Sequence, residues 1–381
     1  MPMNLLFVTH YAGFYGANKS LLTLMTLLQE RYGVKPLVLL PNNGFVCEKL
    51  EEKGIEYLVC PFYWWVNYNH GPFQWVLNKR KQLINYRVAK GICSKLKGRG
   101  IDLVYSNSVC VNIGFFIAKR LGLPHIWHFR ESLMQYSLSL SKYLTRRILA
   151  SPVNKRYVLT SDYMMAFYRQ YLPENRMVRV YNGVDLPVGF SRSEENRMRD
   201  RLQVACVGVI TKQKNQLELL KAQFLLHKRG IDIDTWFVGS ANDIAYYESM
   251  KNYVVSNGLD GMVHFVGYSD RIFDELQQKN LGVVAAHDEA FGRVTIEYML
   301  MKMPVVASRS GANPELIKPG VTGNLYNLGD VNALAYLIEE YVQHPELLAN
   351  QGLCAAMDAT ERFSAINNAK MIYKQIVDAF E

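Results

Sequence analysis

The segment Glu289-Ala-Phe-Gly-Arg-Val-Thr-Ile-Glu297, followed by Tyr-Met-Leu-Met-Lys-Met-Pro-Val-Val-Ala, carries the most informative chemistry in the chain. It reads as the end of a strand, a short loop holding Gly292, a helix, and another strand beginning near Pro304. A helix starting near Arg293 to Thr295 presents backbone N–H groups that no intrahelical carbonyl satisfies, together with the positive end of its dipole. Such an end holds phosphate without a basic side chain. Glu289 lies just before this anion site, and Glu297 in the first turns of the helix. Carboxylates repel phosphate but accept hydrogen bonds from sugar hydroxyls. A diphosphate between two sugars fits the pattern, one glutamate on each sugar. The spacing alone is equally consistent with solvated acidic residues at a helix start, which the dipole favours anyway.

Elements of the α/β type must position this segment. In the front half the expected strands are Leu5–Thr9, Pro36–Leu40, Glu56–Val59, Leu103–Ser106, His125–His128, Tyr157–Thr160 and Val178–Tyr181, with helical patterns such as Ser20–Glu30 and Asn112–Leu121 between them. Residues 183–201 are polar and turn-rich. The pattern restarts with strands at Gln203–Val209, Thr235–Val238, Val263–Phe265, Gly282–Ala285 and Val305–Ala307, and the stretch beyond Val331 is mostly helical. The expectation is two Rossmann-like domains, over 1–185 and 203–360, joined by a linker at 186–202. A C-terminal helix over 361–381 packs back on the first domain. Two such domains facing each other leave a cleft between the carboxyl ends of their strands, the edge at which open α/β sheets bind ligands.

The ordered motifs resemble those of family 4 glycosyltransferases, a retaining family with the GT-B fold. E-A-F-G-R-V-T-I-E followed by P-V-V-A-S is similar to that family's E-x7-E signature. Ser310-Gly-Ala-Asn-Pro-Glu-Leu-Ile317, Gly320-Val-Thr-Gly323, Tyr181-Asn-Gly-Val-Asp185, Val207-Gly-Val-Ile-Thr-Lys-Gln-Lys-Asn215 and Gly13-Phe-Tyr-Gly-Ala-Asn-Lys-Ser20 resemble its other segments, in the same order along nearly the whole chain. The resemblance implies that Glu289 contacts hydroxyls of the transferred sugar, beside the backbone of Phe291 and Gly292. It implies that Val294 and Thr295 offer N–H groups to the diphosphate and that Glu297 binds the nucleotide ribose. Lys214 would neutralise the leaving group, Gly16 and Ala17 would form the first close-approach loop, and His128 would line the sugar site. The family's usual arginine five residues before the lysine is Val209 here, so one cation is missing; Lys212 or Arg293 is expected to supply it. Arg130 and Glu131, next to His128, are acceptor-side candidates, with an ordinary ion pair between them as the alternative.

Composition supports this frame and excludes others. The chain has 381 residues, 49% hydrophobic and 20% charged, enough for two domains with full cores. Its formal charge of +9 is uneven: 24 basic against 10 acidic residues up to residue 190, and 19 against 24 beyond. The front half thus asks for an anionic partner. Eight basic residues and no acidic ones lie between Pro61 and Gly100, interleaved with Trp64, Trp65, Tyr68, Phe73 and Trp75. A second basic stretch runs over 134–156, through Lys142, Arg146, Arg147, Lys155 and Arg156, on a helical segment expected from Met134. These stretches suit an anionic membrane surface. The alternative puts the tryptophans in the core and the cations on a solvated helix face. No segment resembles a nucleic-acid module, and none is expected to bind one. No apolar run approaches the roughly 18 residues that span a bilayer, and MPMNLLFVTH reads as a first strand, not a signal peptide. Six scattered cysteines suggest buried thiols in a reducing cytoplasm.

The resemblance therefore implies a metal-independent retaining glycosyltransferase without a bound cofactor. It would move a hexose from a UDP- or GDP-linked nucleotide sugar, as co-substrate, to a saccharide or lipid-linked acceptor in envelope or capsule synthesis. Its place would be the cytoplasm, peripheral to the inner face of the membrane. The alternatives are a nucleotide-sugar 2-epimerase of similar fold and a non-catalytic sugar- or membrane-binding protein, which Val209 favours.

Overall fold

The computed structural model describes residues 2–67, 74–133, 137–138, 140–187, 189–190, 192 and 200–381, with the backbone alone at 67, 74–76, 137 and 138. It comprises two compact units, Met1–Gly183 with Ala365–Glu381, and Val184–Ser364.

In the first unit, short apolar runs build a seven-stranded sheet in the order Glu56–Val59, Lys35–Leu40, Asn4–Val8, Leu103–Ser106, His125–Phe129, Asn154–Leu159, Met177–Arg179. Neighbouring strands are parallel throughout. The runs are apolar rather than alternating because both faces are covered. The period-two pleat sends Leu5, Phe7, Val38 and Leu40 to one core and Leu6, Val8, Leu37 and Leu39 to the other. The last helix, Ala365–Asp378, belongs to this unit: Ala369, Ile372 and Ile376 complete the first of these cores. Its start lies so close to Gly183 that a Cβ there would fall 2.3 Å from Ala365 Cα.

The second unit carries a six-stranded parallel sheet in the order Val263–Gly267, Ile233–Val238, Leu202–Val207, Leu281–Val284, Val305–Ser308, Gly323–Tyr326. In both sheets the first three strands run outward on one side and the fourth returns to the other side of the first. Each sheet thus has a switch point between its first and fourth strands. The strand Gly323–Tyr326 is absent from the sequence reading because Gly-Asn-Leu-Tyr has little β-propensity. Gly323 makes it possible: its φ is +150°, and a Cβ would lie 2.0 Å from the carbonyl oxygen of Val305.

The basic aromatic stretch divides in two. Trp65 is fully buried. The Trp64 and Trp65 indoles donate to the carbonyls of His10 (2.6 Å) and Val109 (2.5 Å), so these two tryptophans brace the first sheet's loops and do not form a surface. On the helix Gln74–Leu96, Asn78, Gln82 and Asn85 share one buried face. Asn85 grips both polar backbone groups of Tyr63, which fixes the tryptophan segment. The opposite side exposes Lys79, Arg80, Arg87, Lys90 and Lys95 with Leu83, Ile84 and Tyr86. Lys142, Arg146 and Arg147 are exposed on the helix Lys142–Leu149. Tyr68, Phe73, the Trp75 side chain and the expected helix start at Met134 lie outside the described residues. Among the described residues, no helix is long and apolar enough to cross a membrane. Of the six free cysteines, Cys60 is half-buried and Cys354 exposed, whereas the other four are buried.

Candidate functional site

At the second sheet's switch point, two loops leave adjacent strand ends. One is Gly208–Asn215 after Leu202–Val207; the other is Ala285–Gly292 after Leu281–Val284. They are tied by the His287 N–H, which donates to the carbonyl of Gln213 at 2.8 Å. This crossing brings Lys214 and Glu289, 75 residues apart in sequence, into an ion pair of 2.5 Å. Both side chains are partly shielded, 34% and 17% exposed. Asn215, directly after Lys214, and Asp288, directly before Glu289, adopt left-handed backbone (φ 54° and 52°). Asn and Asp tolerate that region best among non-glycine residues, and here it turns both functional side chains toward each other.

The Ser310–Ala312 turn supports Glu289 from behind. Gly311, φ +58°, packs its Cα onto the Glu289 backbone so closely that a Cβ would lie 2.3 Å from both Glu289 N and O. The Ala312 N–H donates to the Glu289 carbonyl (2.8 Å), and the Asp288 N–H donates to Ser310 Oγ (3.0 Å). The sequence motif at 310–317 is thus a scaffold for the glutamate. Gly208 and Gly239 act similarly: a Cβ on Gly239 would lie 2.0 Å from Gly208 O.

The helix Arg293–Leu300 starts at Gly292, whose φ of 84° provides its cap. Phe291 is buried beside it and Val294 half-buried. The first-turn N–H groups of Val294 and Thr295 have no carbonyl within the helix to bind. Thr295 is fully buried, and its Oγ1 has no hydrogen-bond partner. Glu297 is 5% exposed and accepts from Arg293 Nε at 2.9 Å. Arg293 is therefore engaged one turn along its own helix, as the i, i+4 spacing dictates. Lys212 is exposed, and Val209 contributes its carbonyl to Gln216 Nε2 at 3.0 Å.

The remaining sequence candidates lie in the first unit, at the carboxyl edge of its own sheet. Gly16 and Ala17 open the helix Gly16–Tyr32. Asn107 Nδ2 donates to Ala17 O at 3.2 Å and Asn107 Oδ1 accepts from Arg130 Nε at 2.7 Å. Arg130 also reaches Asn182. His128 is fully buried; its Nδ1 pairs with the Tyr105 hydroxyl (2.6 Å) while its Nε2 has no partner. Burial, then the nearby Arg130, holds its pKa well below the usual imidazole range, so the ring is neutral. Glu131 Oε2 accepts from Ser108 Oγ (2.9 Å) and the Val109 N–H (3.3 Å). Burial pushes that carboxyl up to about 7. Sequence reasoning missed His10, 3.7 Å from Glu131, because only the sheet's strand order makes them neighbours.

Residues 189–355 match the sequence family described as glycosyl transferases group 1. An uncharacterized glycosyltransferase of Methanocaldococcus jannaschii is 25% identical over 308 residues, 78% of this chain and 81% of the relative. The lipopolysaccharide core biosynthesis mannosyltransferase LpcC of Rhizobium leguminosarum is 29% identical over 269 residues, 68% of this chain and 73% of the relative. Among solved structures, Anabaena HepE in complex with UDP superposes with a TM-score of 0.81 at 21% identity, covering 98% of this chain and 100% of that one. A Rickettsia africae glycosyltransferase gives 0.82 at 19% identity, covering 100% and 99%. The two parallel-sheet Rossmann-like domains have the GT-B fold, and the matched family and relatives support a group 1 glycosyltransferase.

Proposed function

We propose that the protein is a retaining, metal-independent hexosyltransferase of the E-x7-E type, moving a sugar from a UDP- or GDP-linked donor to a saccharide or lipid-linked acceptor. The observation that carries this reading is the Lys214–Glu289 pair beside the N-terminus of Arg293–Leu300, at the second sheet's switch point. A helix start and a lysine suit a diphosphate, and a carboxylate suits sugar hydroxyls. Without donor, each side chain holds the other in place; with donor, Lys214 turns its charge to the leaving oxygen and Glu289 accepts from the sugar. Phe291 and Gly292 shape the loop, the N–H groups of Val294 and Thr295 meet the diphosphate, and the second oxygen of Glu297 accepts from a ribose hydroxyl. Gly16, Ala17 and His128 serve the acceptor-side domain.

In the reaction, the bond from the anomeric carbon to the diphosphate oxygen breaks and a bond from that carbon to the acceptor oxygen forms on the same face. The acceptor's proton passes to the departing phosphate. Charge developing on that leaving group is the main quantity to stabilise, and positioned donors and cations supply it. LpcC is named for lipopolysaccharide core biosynthesis, which favours envelope saccharide chemistry, and HepE was solved with UDP-glucose, which favours a nucleotide-sugar donor. The exposed cations of the helices Gln74–Leu96 and Lys142–Leu149 suit an anionic membrane surface, where such an acceptor resides.

The test is turnover of a nucleotide-sugar panel with envelope extracts as acceptor, followed by nuclear magnetic resonance of the product. The expected outcome is nucleoside diphosphate release and a linkage with the donor's anomeric configuration. An inverted linkage would exclude retention. No turnover of any donor would remove the transferase reading, and an epimerised free nucleotide sugar would replace it.

A further inference from the structure

We propose that His10, Cys110 and Glu131 form a three-ligand site for a borderline-soft divalent cation such as Zn2+ in the first unit. His10 and Cys110 follow the first and fourth strands, which flank that sheet's switch point, and Glu131 follows the adjacent strand His125–Phe129; their ligand atoms lie within 4.8 Å of one another. His10 Nε2 and Glu131 Oε1 are 3.7 Å apart. That is too far for a hydrogen bond. It is close to the roughly 3.3 Å that two ligands of one tetrahedral zinc keep, given Zn–N and Zn–O distances of about 2.0–2.1 Å. A nitrogen, a sulfur and a carboxylate oxygen favour zinc over magnesium or calcium, which take oxygen alone.

The ligands are held before any metal arrives. Ser108 Oγ and the Val109 N–H fix Glu131 through Oε2 and leave Oε1 for a cation. The indoles of Trp64, Trp65 and Trp127 grip the carbonyls of His10, Val109 and Ser108, which braces the backbone carrying His10 and Cys110, and the Tyr168 hydroxyl donates to the Glu131 carbonyl at 2.9 Å. Arg130, the adjacent cation, directs its Nε and one terminal nitrogen to Asn107 and Asn182. His10 is 7% exposed, Cys110 2% and the Glu131 side chain 23%, so the carboxylate is the ligand nearest solvent.

Electrostatics point the same way. With Cys110 as thiolate, Glu131 as carboxylate and His10 neutral, the three ligands and Zn2+ sum to zero charge. Binding replaces the thiol proton, and any proton on the Glu131 carboxyl, by the metal and releases both to water.

Chelator-treated full-length protein titrated with Co2+, without nucleotide sugar, is expected to bind one ion per chain. A thiolate-to-cobalt charge-transfer band should appear and be abolished by Zn2+. Cys110→Ser should remove the band, and His10→Asn and Glu131→Gln should each weaken zinc binding at least tenfold, with circular dichroism confirming the fold. Zinc-edge X-ray absorption on the unsubstituted protein needs no variant and should show one sulfur neighbour. A band that survives Cys110→Ser, a zinc shell without sulfur, or no binding at all would overturn the site. The readout does not depend on transferase activity, so this proposal and the transferase reading can fail separately.

Discussion

Lys214→Ala separates a catalytic lysine from a structural one by size of effect. The pair it forms with Glu289 is 2.5 Å long, but the lysine side chain is 34% exposed. A partly solvated ion pair of this kind contributes about 1 kcal/mol or less. Losing 1 kcal/mol lowers Tm by about 2–4 °C in a domain of 150–250 residues. The catalytic expectation is larger. If Lys214 faces the charge that grows on the departing diphosphate, its loss resembles removal of one preorganised oxyanion partner. That costs about 2.7–4 kcal/mol, or a factor of about 10² to 10³ in kcat. The assay is nucleoside diphosphate release with the best donor and acceptor, alongside a thermal melt of the same preparation. Lys214→Arg keeps the charge and should recover part of the rate. A kcat within tenfold of the parent at unchanged Tm, or a loss confined to KM, would refute the reasoning and leave Lys214 as a partner that only positions Glu289.

Other perturbations test the support around the site. Gly311→Ala places a Cβ against the Glu289 backbone at a positive φ; a urea titration should show a loss of about 1–3 kcal/mol, and activity should fall with it because Glu289 is displaced. Ile376→Ala opens a cavity in the first unit's core, where the residue is fully buried; a loss of about 2–5 kcal/mol is expected by denaturant unfolding. Replacing Lys79, Arg80, Arg87 and Lys90 together by glutamine should reduce sedimentation with phosphatidylserine vesicles at low salt while leaving Tm nearly unchanged. Equal sedimentation of parent and variant would show that this helix face does not meet lipid.

Much of the fold was legible because it follows from local rules. Apolar runs of four to six residues separated by helical patterns specify buried parallel strands, and most strands fall within one to three residues of their expected ends. The strand Gly323–Tyr326 was not legible, since its place depends on Gly323 fitting under Val305. The helix at residue 293 was readable from Gly292 and the pattern after it. That Arg293 would be spent on Glu297 is a consequence of helical spacing combined with burial, and only the second is invisible in a sequence. Trp64 and Trp65 show the same limit: composition left both a surface with the cations and a core placement open, and the structure draws their indoles inward to backbone carbonyls of the first sheet's loops.

By itself, then, the sequence determined which elements form, their order, and the residue types offered at each strand end, because these depend on near neighbours in the chain. Tertiary structure decided which of those residues meet. The return of the fourth strand beside the first brings Glu289 to Lys214 in one sheet, and in the other that return, with the fifth strand beside it, gathers a buried histidine, a buried thiol and a half-buried carboxylate. Loops at a switch point are distant in sequence and adjacent in space, so the chemistry assembled there is set by strand order and not by spacing.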